Sequence, residues 1–127
     1  MFSHVMIGAD DIAAAKAFYD AALGALGIPP GVVDERGRLV YANGGARFLV
    51  TKPIDGEPAT SANGGTIGFL AASREAADAW HAAGLANGGT AIENPPGIRH
   101  ATGDRQIYLA YLRDPAGNKI CVMKRMG

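Results

Sequence analysis

The chain has 127 residues, the size of one domain, and 48% of them are apolar, ample for a core. Twelve lysines and arginines balance twelve aspartates and glutamates, so no net field draws the chain to nucleic acid or to an anionic membrane. No apolar run approaches the ~20 residues of a membrane span, and the start Met-Phe-Ser-His-Val lacks the basic and long apolar parts of a signal peptide. One cysteine, Cys121, cannot form an internal disulfide; this fits a reducing compartment, and the expected location is cytoplasmic.

In chain order, a strand is predicted over 3–9 and a helix over 11–24. Asp10 or Asp11 can cap that helix, because a short oxygen side chain accepts from free first-turn amides. Ile12, Ala15, Phe18, Tyr19, Ala22 and Leu23 fall at helical spacing, and Gly27 ends the run. Strands are predicted near 31–34, 37–42 and 45–51, followed by a proline-rich polar linker over 53–63. The same order then returns. A strand is predicted over 65–71, a helix over 74–86 capped by Ser73, and strands near 90–93, 105–113 and 118–124. The stretch 94–106, with Pro95-Pro96-Gly97, reads as a loop.

A shift of 62 residues lines the two halves up. Ala14, Ala15, Ala17, Ala21, Leu23 and Gly27 meet Ala76, Ala77, Ala79, Ala83, Leu85 and Gly89 as identities, and Phe18 meets Trp80. The architecture is therefore βαβββ twice in one α+β domain: module 1 about 1–52, linker 53–63, module 2 about 64–127. Neither module alone covers both faces of its sheet, so the two are expected to pair.

Asp114-Pro115-Ala116-Gly117 reads as a tight turn leading into the last strand. Strand alternation puts Cys121 on one side with Lys119 and Met123, opposite Ile120 and Val122. A lone buried cysteine is either a small hydrophobe or, beside a cation or histidine, a reactive thiolate; a converging His4 would make the latter a Cys–His arrangement. Tyr108 and Tyr111 face opposite sides of their strand, so one of them alone can line a cavity. Each serves either as packing with a bonded hydroxyl or as an acid. Arg99 and His100 lie in the long loop, where Arg99 could grip a carboxylate or phosphate. Phe48, Phe69, Trp80 and Met123 are candidate apolar walls whose other explanation is core packing.

The strand His4-Val5-Met6-Ile7, Ala17-Phe18-Tyr19 and Leu23-Gly24 of the first half resemble the vicinal oxygen chelate superfamily, the glyoxalase, bleomycin-resistance and extradiol-dioxygenase group. The segments GGTIGFLA (64–71), WHAAGLANGG (80–89) and IYLAYLRDPAGNKICV (107–122) resemble its bacterial glyoxalase-like branch. The resemblance implies an open, cup-shaped mixed sheet, a ligand or divalent metal (Zn, Ni, Mn or Fe) in the cup, and a homodimer that in some members shares the cup between chains. It also implies four ligand positions. His4 matches the first, Thr66 the second-half counterpart, and Cys121 the place where a carboxylate usually follows the turn. The strand Arg47-Phe48-Leu49-Val50 offers no evident fourth ligand.

A catalytic ion needs about three protein donors and an open position. His4 and Cys121 are the candidate donors here. Thiolate suits zinc, while magnesium, manganese and iron prefer oxygen and imidazole. The expectation is a protein that binds a small organic molecule in the cup, with a degenerate metal site and no resident cofactor. The candidate residues are His4, Tyr111 and Cys121 for chemistry, and Phe48, Thr66, Phe69, Arg99, His100, Tyr108 and Met123 for binding. The alternatives are a metal-dependent glyoxalase-like lyase or isomerase or a dioxygenase, and antibiotic sequestration.

Overall fold

The computed structural model describes residues 1–126. The first module runs β1 (His4–Gly8), α1 (Ile12–Gly24), β2 (Val32–Val33), β3 (Leu39–Asn43) and β4 (Ala46–Thr51). The second runs β5 (Ile67–Leu70), α2 (Arg74–Ala86), β6 (Thr90–Ala91), β7 (Gly97–His100), β8 (Gln106–Arg113) and β9 (Lys119–Met126). The sheets are ordered β1-β4-β3-β2 and β5-β9-β8-β6, with β7 also on β8; β1–β4 and β5–β9 are parallel and the remaining pairs antiparallel. This is the duplicated α+β plan, with both sheets open. Gly127, assigned to module 2 from sequence, lies outside the described residues.

The stretch 94–106 corrects the sequence reading. It contains β7 and a one-turn 3-10 helix at Thr102–Asp104 rather than loop throughout. Proline cannot donate to a ladder, so the strand beside β8 is interrupted at Pro95-Pro96 and resumes at Gly97. β6 and β7 are thus two pieces of one edge, occupying the place that β2 holds in module 1.

Local chemistry sets the helix starts. Asp11 caps α1 by accepting from Ala14 N at 2.9 Å, and Ser73 caps α2 by accepting from Ala76 N at 3.0 Å. Asp10 caps nothing. Its carboxylate accepts from Ala59 N instead and ties the linker to the end of β1. α1 and α2 pack against each other through close approaches at Gly84 and Gly89, both against Phe18. The helix-facing side of the first sheet carries Tyr41, Phe48 and Val50 onto Tyr19, and that of the second carries Tyr108, Ala110, Leu112, Ile120 and Val122 onto α2. Phe48 and Phe69 meet edge to face at 5.2 Å and join the two halves into one core.

A polar latch completes that union. Asp114, 3% exposed, accepts from Tyr19 Oη at 2.6 Å, Ala116 N at 3.0 Å, Asn118 N at 2.8 Å and Asn118 Nδ2 at 3.0 Å. The Asn118 amide also donates to Gly8 O at 2.8 Å, so the turn of module 2 is fastened to β1 of module 1. Burial, together with the Asp114 carboxylate, holds the Tyr19 phenol well above its ordinary pKa.

Candidate functional site

With the helices on one side of each sheet, the opposite faces are left for a ligand. Cross-strand partners share a side, so the register defines the rows. In module 2, Gly68, Cys121 and Tyr111 form one row, and Leu70, Met123 and Leu109 the next. Lys119 and Arg113 lie beside each other in the row toward the linker, with Thr66 immediately before β5 at its end. Tyr111 is the tyrosine on this outer face. Tyr108 lies on the helix side, where its hydroxyl donates to Asp78 at 2.6 Å and Arg74 stacks over its ring. That placement removes Tyr108 from a ligand role on the outer face.

Other sequence candidates separate in the same way. Phe48 and Phe69 are on the helix side, and an apolar crevice of about 300 Å³ between the modules is bordered by Val5, Tyr41, Phe48, Ile67, Phe69 and Leu70. Phe48 and Phe69 do not share a face with Tyr111 and Cys121. Arg99 pairs with Ile107 and lies on the outer face, but its Nη2 donates to Asn94 O and Pro95 O, closing the β6–β7 bend. His100 points to the other side from Arg99. His4 is exposed on β1, in the other sheet from Cys121, with Nδ1 at 2.9 Å from Ser3 Oγ. The rows therefore bring Thr66, Tyr111, Cys121 and Met123 onto one face, with Arg99 farther along it, and leave His4 on the first sheet.

Sequence reasoning missed Glu93 and gave Lys119 no role. The Lys119 ammonium is paired with the Glu93 carboxylate and sits 5.0 Å from the Tyr111 ring centre. Hydrogen bonding to Glu93 raises the Lys119 pKa. Burial raises the Tyr111 phenol, helped by Cys121 and Glu93. Burial is also the main reason the Cys121 thiol is pushed up, and Glu93 adds to it against the opposing effect of Lys119. Alternation did signal Lys119, which shares a side with Cys121. Glu93 arrives through the β6–β7 bend, a nonlocal contact with no sequence signature.

Cys121 is thus a covered thiol: 8% exposed, with its sulfur 3.2 Å from the position a side chain at Gly68 would take. A neutral, shielded thiol alkylates slowly. Iodoacetamide at pH 7.5 is expected to label native Cys121 about tenfold or more slower than the urea-unfolded chain; equal rates, followed by mass spectrometry, would refute the covered-thiol reading.

The register also tests the metal positions implied by the family resemblance. Met6 pairs with Leu49 in module 1 as Gly68 pairs with Cys121 in module 2, so Leu49 is the counterpart of Cys121. The four positions carry an imidazole (His4), a hydrocarbon (Leu49), a hydroxyl (Thr66) and a covered thiol (Cys121). Among the described residues, no three His, Cys, Asp or Glu side chains come together in a metal-holding group. This donor set does not fit a catalytic divalent ion.

The chain matches the family model "Glyoxalase/Bleomycin resistance protein/Dioxygenase superfamily" over residues 1–122. No curated protein matches it. Among solved structures it is similar to a glyoxalase/bleomycin resistance protein from Albidiferax ferrireducens T118, 55% identical over 98% of this chain and 99% of that one, with a TM-score of 0.94. A glyoxalase/bleomycin resistance protein/dioxygenase family enzyme from Burkholderia phytofirmans PsJN is 21% identical over 98% of each chain, TM-score 0.74. Lactoylglutathione lyase from Agrobacterium tumefaciens is 22% identical over 98% of this chain and 92% of that one, TM-score 0.65. These last two likenesses concern the fold alone. Together with the duplicated modules and their register, the family match establishes that the chain belongs to the glyoxalase/bleomycin resistance protein/dioxygenase superfamily.

Proposed function

We propose that this protein binds a small organic molecule against the outer face of the second sheet, without a metal ion. The observation that carries this reading is the substitution of Leu49 and Thr66 at two of the four positions where family resemblance implies donors. Beside them, Leu109, Met123, Tyr111 and Cys121 offer an apolar and aromatic surface with few polar groups, the usual make-up of an organic-ligand site. Polarising a substrate oxygen would need a charge that this donor set does not hold in place.

The same reading includes a homodimer. β1 and β5 are edge strands, each with one unpaired side, and Met6 and Leu70 stand on the outer faces at 41% and 64% exposure. An apolar edge strand is an aggregation hazard unless covered. β1 of one copy beside β5 of the other would cover both edges and join the outer faces into one cup.

Titration with Nile red, a neutral apolar dye, tests the binding reading. Saturable fluorescence enhancement is expected, with a Kd unchanged by EDTA and weakened about tenfold by Leu109→Asp, which puts a charge on the apolar face. Loss of binding in EDTA and its return with zinc would overturn it.

A further inference from the structure

Where the linker enters β5, the turn 61–65 stands against the ends of β8 and β9 and encloses a polar recess of about 160 Å³. It is lined by Ser61, Asn63, Gly64, Thr66, Arg113 and Lys119, among others. The space is that of a few water molecules, enough for one oxyanion group.

Arg113 and Lys119 are direct cross-strand partners, which sets two cations side by side on one face. Like charges in that position repel unless an anion lies between or against them. Glu93 supplies one carboxylate, and it reaches Lys119. Arg113 Nη1 donates to the neutral Gly117 O at 2.8 Å, and among the described residues no carboxylate pairs with its guanidinium. The recess therefore holds more positive charge than the protein itself neutralises. The hydroxyls of Ser61 and Thr66 and the Asn63 amide add neutral donors beside it.

We propose that this recess binds the oxyanion group, a phosphate or carboxylate, of the molecule held on the outer face. Arg113 and Lys119 carry its charge. Glu93 is the internal competitor: its carboxylate occupies Lys119 until a ligand anion shares or displaces it. Row spacing then directs the rest of the ligand over Tyr111 and Cys121, the next row along β8 and β9. The ligand class is an anionic small molecule with an apolar body. The assignment deepens the binding reading above and rests on it for the body, while the anion site stands on its own geometry.

The test is an NMR titration of the full-length protein with inorganic phosphate and, separately, with acetate. Saturable shifts at the amides of Gly64, Gly65 and Thr66 are expected, and the stronger of the two anions identifies the group. Lys119→Met should weaken that anion about tenfold, the worth of one charge-assisted contact. Glu93→Gln should tighten it about threefold, a gain that impaired folding cannot imitate. The proposal is overturned if neither anion moves these amides, if Lys119→Met binds as tightly as the parent, or if Glu93→Gln gives no gain. Nile red binding with no anion response refutes the recess and leaves the organic-ligand reading standing. An anion response without dye binding does the reverse.

Discussion

Replacing Asp114 by alanine is expected to cost about 3–5 kcal/mol of folding stability, because it leaves the buried donors of Tyr19 and Asn118 without their shared acceptor. Four donors converge on this carboxylate from Tyr19, Ala116 and Asn118. Tyr19 is fully buried and Asn118 is 5% exposed, so water cannot take over the lost bonds. Asn118 would also loosen its hold on Gly8 O, and the two modules would lose a direct polar tie. For a domain of this size the loss lowers the melting temperature by roughly 10–20 °C. Tyr19→Phe removes one of the four bonds and should cost about 1–2 kcal/mol. Calorimetry on both variants checks the order; a mild Asp114→Ala would show that the carboxylate is not the hub of the latch, and a Tyr19→Phe as severe as it would show that the four bonds do not contribute separately.

Gly89→Ala is the second large effect, expected at about 2–3 kcal/mol destabilising. An added Cβ would stand 2.6 Å from Phe18 Cε1 and 2.8 Å from the backbone oxygen of Gly84. Neither can yield: Phe18 is completely buried, and the Gly84 carbonyl accepts from Gly89 N at the end of α2. Gly84→Ala is the informative companion. In an exposed helix this change stabilises by about 1 kcal/mol. Here the new Cβ would meet Leu112 Cδ1 at 2.4 Å and Phe18 Cε1 at 3.1 Å, so the sign reverses. Urea unfolding of the two variants tests this; stabilisation of either would mean the helix pair is packed more loosely than its glycines indicate.

These glycines illustrate what the sequence could convey. Their spacing against the first half, Gly27 to Gly89, is part of the 62-residue repeat, and the repeat revealed both modules and both helices. It stopped being a guide beyond the helices. Leu49 and Cys121 are counterparts 72 residues apart, because the interrupted β6–β7 edge and the longer Asp114–Asn118 turn add length to the second module. Alternation along β8 divided Tyr108 from Tyr111 but did not say which side was which. That depended on Arg74 and Asp78, one helical turn apart on α2, lying beneath Tyr108. Phe48 and Phe69 looked like cavity walls because aromatic residues serve cores and pockets equally; their mutual contact assigns them to the core between the modules. The Lys119–Glu93 pair was invisible because a bend around two prolines, not periodicity, brings Glu93 to β9.

The family's cup and the chain's donors lead to opposite expectations about a bound metal ion. A calorimetric titration of chelator-treated protein with zinc at pH 7 decides between them most directly. No site tighter than about 10 µM is expected, since one exposed imidazole and one covered thiol cannot complete a coordination shell. A stoichiometric sub-micromolar site, abolished by both His4→Ala and Cys121→Ser, would contradict that expectation.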